Sequence, residues 1–134
     1  MVRKDFTLGL SFGFHDSAVS LLDETGSVVF ACQEERFTRK KYDPSFPVNA
    51  VTYVLDEYGL DIDDLIGVIY YEKPILKLER LLETYHAFSP KGLKSFLSAM
   101  AVWLSEKILL KQKLKAELKR FCRKDHKINL LFSE

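Results

Sequence analysis

The sequence predicts an α/β fold built on a mixed sheet, and three observations predict it. Short apolar segments near the start are separated by tight polar turns, the pattern of an antiparallel meander. Residues 65–71 (LIGVIYY) are almost continuously apolar, as a central buried strand would be. Elsewhere, apolar residues recur at helical spacing.

The first strand is predicted over 6–12, where Phe6, Leu8, Leu10 and Phe12 alternate onto one face. Residues 13–17, Gly-Phe-His-Asp-Ser, form a turn rich in polar groups. A second strand over 18–22 is closed by Asp23-Glu24-Thr25-Gly26, a good hairpin turn. The third covers 27–33 through Val28, Val29 and Phe30. From 34 to 46 no period is sustained while charges and Pro44 intervene, which predicts a loop. Pro47 suits the first turn of a helix striped by Val48, Val51, Val54, Leu55 and Tyr58, and Gly59 is its natural stop.

After the strand at 65–71, Pro74 breaks the chain. A short helix over 76–85 is interrupted around Ser89-Pro90. In the longer helix that follows, Leu93, Phe96, Leu97, Met100, Ala101, Leu104 and Ile108 fall on one side. Leu110, Leu114, Leu118, Phe121 and Cys122 continue the apolar spacing, with lysines opposite. A last strand is predicted over 128–132 (INLLF). The order is β-β-β-α-β-α-β in one domain over 1–134. That is the ground plan of half of an actin-like or sugar-kinase-like ATPase fold, with a mixed sheet and long amphipathic helices.

Composition narrows the function classes. The chain is 47% hydrophobic and 29% charged, an ordinary make-up for a soluble globular domain. A net charge of +1 gives no overall steering toward nucleic acid. Charge is nevertheless uneven, since eleven Lys and Arg face three acids between 91 and 127. Such a basic amphipathic helix can lie on membranes or bind nucleic acid, although a solvated face on a packed helix needs no partner. Cys32 and Cys122 are far apart and read as reduced, buried thiols. No signal peptide is evident, and the uncharged run at 95–105 is too short to span a bilayer. A cytoplasmic protein without a membrane or nucleic-acid partner is expected.

Two segments can carry chemistry. In Gly13-Phe14-His15-Asp16-Ser17-Ala18, small residues let backbone amides approach an anion. His15 titrates near neutral pH and can serve as a general base, while Asp16 can hold its imidazole or help order a cation. An exposed polar hairpin turn is the plainer alternative. In the segment from 34 to 41, Arg36, Arg39, Lys40 and Lys41 can clamp phosphate or carboxylate. A surface loop neutralised by Glu34 and Glu35 is the alternative there. Both segments sit at ends of meander strands, so neighbouring strands would bring them into one region. His86 and His126 have no metal-ligand spacing, and there is no P-loop, dinucleotide fingerprint or Cys-x-x-Cys.

The stretches LGLSFGFHDSAVSLLD and VVFACQEERFTRKKYDPSFP, followed by YYEKPILKLERLLETYHAFSPKG, resemble the O-carbamoyltransferases of the nodulation and antibiotic-tailoring kind. The resemblance covers nearly the whole chain, on Gly-x-His-Asp-Ser-Ala followed by Gln-Glu-Glu-Arg-Phe-Thr. It implies the N-terminal part of the actin-like module of a two-module enzyme. One module makes carbamoyl-adenylate from carbamoyl phosphate and ATP, and the actin-like module transfers the carbamoyl group to an acceptor hydroxyl.

By motif position, His15 would sit beside the carbamoyl group with Asp16 as its neighbour. Ser17, Arg36, Arg39 and Lys40 would bind substrate or phosphate. The resemblance implies ATP and a divalent metal ion, with the metal ligands in a His-rich stretch beyond this chain. It also implies that the 134 residues alone are inactive without the remainder of the enzyme, a possible partner. The rival expectation is a non-catalytic module whose basic helix binds a partner, membrane or nucleic acid.

Overall fold

Turn chemistry and strand alternation produce a five-stranded sheet in the computed structural model, which describes residues 5–13, 16–72, 74–123 and 127–133. The chain divides into two compact units, Met1–Tyr71 with Glu117–Glu134, and Glu72–Ala116.

The first unit holds the sheet, in the order β3-β2-β1-β4-β5. Strands β1 (Thr7–Ser11), β2 (Ala18–Leu22) and β3 (Val28–Gln33) form the expected antiparallel meander. Asp23 closes the β2–β3 hairpin, accepting Thr25 N–H at 2.9 Å and Ser27 N–H at 3.0 Å through Oδ1. Strands β4 (Gly67–Tyr71) and β5 (Leu130–Ser133) add in parallel beside β1, which makes the sheet mixed.

Alternation sorts the sheet into two faces. Leu8, Leu10, Val19, Leu21, Val68 and Tyr70 are buried on one, with Ala50, Val51, Val54 and Leu55 of helix α2 (Val48–Tyr58) also in the core. Each fully buried large side chain contributes roughly 1.5–3 kcal/mol. Tyr58 ties the far end of α2 to the meander by donating its hydroxyl to Val29 O at 3.0 Å. The opposite face carries Gly9, Ser11, Ala18, Ser20 and Ile69.

The predicted loop over 34–46 needs correction, because it contains a short helix, α1 (Glu35–Thr38). Four residues are too few to display a helical period. Its turn is closed by Thr38 N–H on Glu34 O at 3.1 Å and Arg39 N–H on Glu35 O at 2.9 Å. A 3-10 turn over Ile62–Asp64, held by a capping box on Asp61, precedes β4 and delays the strand from the expected 65 to 67.

The second unit contains α3 (Pro74–Phe88) and most of α4 (Leu93–Lys119). Tyr85 and Phe96 stack across them with ring centroids 4.3 Å apart, and Lys107 pairs with the buried Glu72. The end of α4 belongs to the first unit, where Leu118 is fully buried and Phe121 lies 6.4 Å from Phe46 between ring centroids. Among the described residues, no helix is long and apolar enough to cross a membrane.

Candidate functional site

In open α/β sheets, ligand chemistry gathers at the carboxyl ends of parallel strands, here β1, β4 and β5. β1 ends by running through Phe12 into Gly13, whose φ of 96° is a backbone conformation glycine adopts without strain. Gly13 donates its N–H to Pro44 O at 2.8 Å, and Phe12 O accepts the buried Tyr70 hydroxyl at 2.6 Å. The Phe12 ring meets Tyr70 and Phe46 edge-on, with centroids 5.0 and 5.2 Å away. The loop therefore leaves the sheet from a rigid base.

On its return the loop is tied again. Ser17 is 1% exposed, and its hydroxyl lies against Asp43 O at 2.9 Å and against Ser45 O. Its N–H also donates to Asp43 O at 3.1 Å. Expected from the motif to bind substrate or phosphate, Ser17 is placed here as a tie between two loops. Beside it, Asp16 has a buried Oδ1 with no hydrogen-bond partner among the described residues. His15 lies outside the described residues.

The two segments singled out in the sequence do meet. Glu34 N–H donates to Ser17 O at 2.9 Å, which joins the 13–17 loop to the start of the cationic segment. Glu34 itself does not neutralise the neighbouring cations at the surface. It is 2% exposed, with Oε1 accepting Asn49 N–H at 3.1 Å and Asn49 Nδ2 at 2.7 Å, and Oε2 accepting Ala50 N–H at 2.8 Å. Its carboxylate closes the N-terminus of α2, where Pro47 offers no capping side chain.

The cations separate. Arg36 lines a cavity of about 850 Å³ on the sheet face that carries Gly9 and Ser20. Arg39 and Lys40 are exposed on the turn after α1 and are absent from that lining. Arg39 has a φ of 60° and terminates α1. Ser11, Gln33, Tyr71 and Ser133 supply further polar groups to the cavity, and sequence reading missed them. Strand alternation held the only signal, by setting them on the face away from the core.

Cys32 borders the same cavity. Desolvation, and then the negative charge of Glu34, push its thiol above the ordinary value, which makes it a poor nucleophile at neutral pH. Both cysteines are half-buried rather than buried as expected, and the Cys122 thiol donates to Leu118 O at 3.5 Å. Among the described residues, no group of three or more His, Cys, Asp or Glu is placed to hold a metal ion. The orphaned Asp16 oxygen supplies at most one ligand, so the residues at hand do not assemble a metal site.

Residues 7–134 match the family described as carbamoyltransferase N-terminus. An uncharacterized protein of Synechocystis is 48% identical over 129 residues, covering 95% of this chain and 21% of its own length. An uncharacterized 19.2 kDa protein of Rhizobium etli is 32% identical over 69 residues, covering 52% of this chain and 39% of its own. The chain thus spans about a fifth of the Synechocystis relative.

Proposed function

This chain belongs to the carbamoyltransferase N-terminus family, and we propose that it acts as the opening part of an enzyme transferring a carbamoyl group from carbamoyl-adenylate to an acceptor hydroxyl. The observation that carries the reading is the junction of Glu34 with Ser17, which brings the loop bearing His15 to the segment bearing Arg36. The sheet order supports the further proposal that the first unit is half of an actin-like ATPase fold.

The proposed chemistry needs little from this chain beyond placement and one proton. A free hydroxyl is a weak nucleophile, so a neutral imidazole within reach assists by accepting its proton as the oxygen attacks the carbamoyl carbon. His15 takes that role, and the carbamoyl–phosphate bond breaks to release the nucleotide. Asp16 orients the ring, while Arg36, Arg39 and Lys40 offset negative charge on the departing phosphate. ATP is consumed in making the adenylate. The divalent metal ion that the resemblance implies would draw its ligands from beyond this chain.

The 134 residues alone are expected to give no product with carbamoyl phosphate, ATP and hydroxyl acceptors, assayed by transfer of labelled carbamoyl. Fused ahead of the remaining four-fifths of the Synechocystis relative, they are expected to give it. In that fusion His15→Ala should lower transfer by about 10²–10⁴-fold, the usual scale of general-base catalysis. Undiminished transfer by the His15→Ala fusion would end this reading.

A further inference from the structure

Helix α4 shows two different sides. Phe96, Met100, Trp103, Lys107 and Leu110 are half-buried along one, where Phe96 stacks on Tyr85 and Lys107 pairs with Glu72. A second apolar row steps along 93, 97, 101, 104 and 108, spacings that keep it on one face of a helix. Its members are outside that packing, with Leu93, Leu97, Leu104 and Ile108 between 48% and 59% exposed. Continuing by three and then four residues, the row runs into the exposed Lys111 and Lys115, and Lys94 flanks its beginning. Residues 93–116 hold five lysines and one acid, Glu106. Glu106 lines a separate groove with Leu81 and Trp103 and stands off the row.

Charge selects among occupants. Two copies of this face would set lysines against lysines, a like-charge arrangement that opposes self-pairing. The row, at four- and three-residue steps, fits the ridge of one helix, and the exposed Val102 and Leu109 lie on another side of α4, outside it. Polypeptide is available for the purpose, since most of the Synechocystis relative lies outside the matched region.

We propose that the outer face of α4 docks an amphipathic protein segment with an apolar ridge and carboxylate flanks, supplied by the part of longer family members that this chain does not match. The ridge packs on Leu93, Leu97, Leu104 and Ile108, and the carboxylates meet Lys94, Lys111 and Lys115. This surface belongs to the second unit, so the proposal stands independently of the transfer reading.

Maleimide labelling of Leu104→Cys, read at that site by mass spectrometry, tests it. The variant is made in the 134-residue chain and in the same chain fused ahead of the remainder of the Synechocystis relative. Labelling is expected to be at least tenfold slower in the fusion. Adding Lys111→Glu and Lys115→Glu to the fusion is expected to restore fast labelling, with helix content by circular dichroism unchanged. Equal rates in the two proteins overturn the proposal. Protection of the short chain that rises with its own concentration overturns it in favour of a second copy. Protection of the short chain by phosphatidylserine vesicles, with none in the fusion, overturns it in favour of a membrane surface.

Discussion

Glu34 Oε2 accepts the backbone N–H of Ala50 at 2.8 Å, so a carboxylate placed just after β3 closes the first turn of α2. The helix dipole favours negative charge there, and the buried amide would otherwise lack a partner. Glu34→Ala should lower unfolding stability by about 2–3 kcal/mol, the cost of leaving buried polar groups unpaired together with the lost cap. Glu34→Gln should cost less, because one amide oxygen can still accept. Urea denaturation followed by circular dichroism measures both. Equal stability of Glu34→Ala and the parent would show that the amides of Asn49 and Ala50 find other partners.

Tyr70 and Phe12 form the base from which the 13–17 loop departs, through a hydroxyl-to-carbonyl bond of 2.6 Å. Tyr70→Phe keeps the ring and its edge contacts and leaves the Phe12 carbonyl without that donor. A loss of about 1–2 kcal/mol is expected. Hydrogen exchange should show Gly13 opening more readily, while the central amides of α2 keep their protection relative to global stability. A uniform increase everywhere would mean that the bond holds the whole unit and has no special hold on the loop.

Much of this arrangement was legible in the sequence wherever its cause is local. The alternation at Leu8 and Leu10, the Asp23–Gly26 turn and the Gly59 stop each act within a few residues and were found in place. The partnership of Glu34 with Asn49 was not legible, because it joins residues fifteen apart through a fold the sequence does not display. One clue existed: Pro47 cannot cap, so the helix after it had to draw an acceptor from elsewhere. At the site, adjacency of the two meander ends was foreseeable from strand order. The burial of Ser17 was not, since it depends on the carbonyls of Asp43 and Ser45 from a distant loop.

Arg39 and Gly59 end their helices with nearly the same backbone, at φ 60° and 61°. Only glycine adopts that conformation without a Cβ clash. Gly59→Ala should therefore destabilise by about 1 kcal/mol, whereas Arg39→Gly should be neutral or stabilise by up to about 1 kcal/mol. Thermal melts of the two variants give the comparison directly. In the active fusion, Arg39→Gly should combine undiminished stability with weaker transfer, since it removes a proposed phosphate contact. Full transfer by that variant would take Arg39 out of the site and leave Arg36 as the cation beside the cavity.

Acid should loosen the turn that holds Ser17. The Asp43 carboxyl lies below its ordinary value, first because the Ser45 hydroxyl donates to it at 2.5 Å and then because the Ser45 N–H does so at 3.0 Å. A depressed folded-state value means that this group stabilises the folded chain above the ordinary aspartate range. That contribution is lost as pH falls through the lower, folded-state value. Asp43 is only half-buried, so the effect is local and partly screened by salt. Carbon-13 titration of the side chain should place its midpoint below that of an unstructured aspartate, and Ser45→Ala should move the midpoint upward. Amide shifts of Ser17 and Ser45 should change with the same midpoint, because the carbonyls that receive Ser17 belong to the turn this carboxylate holds. A normal aspartate midpoint in the parent chain would mean that the Ser45 bonds are too transient in solution to hold the loop.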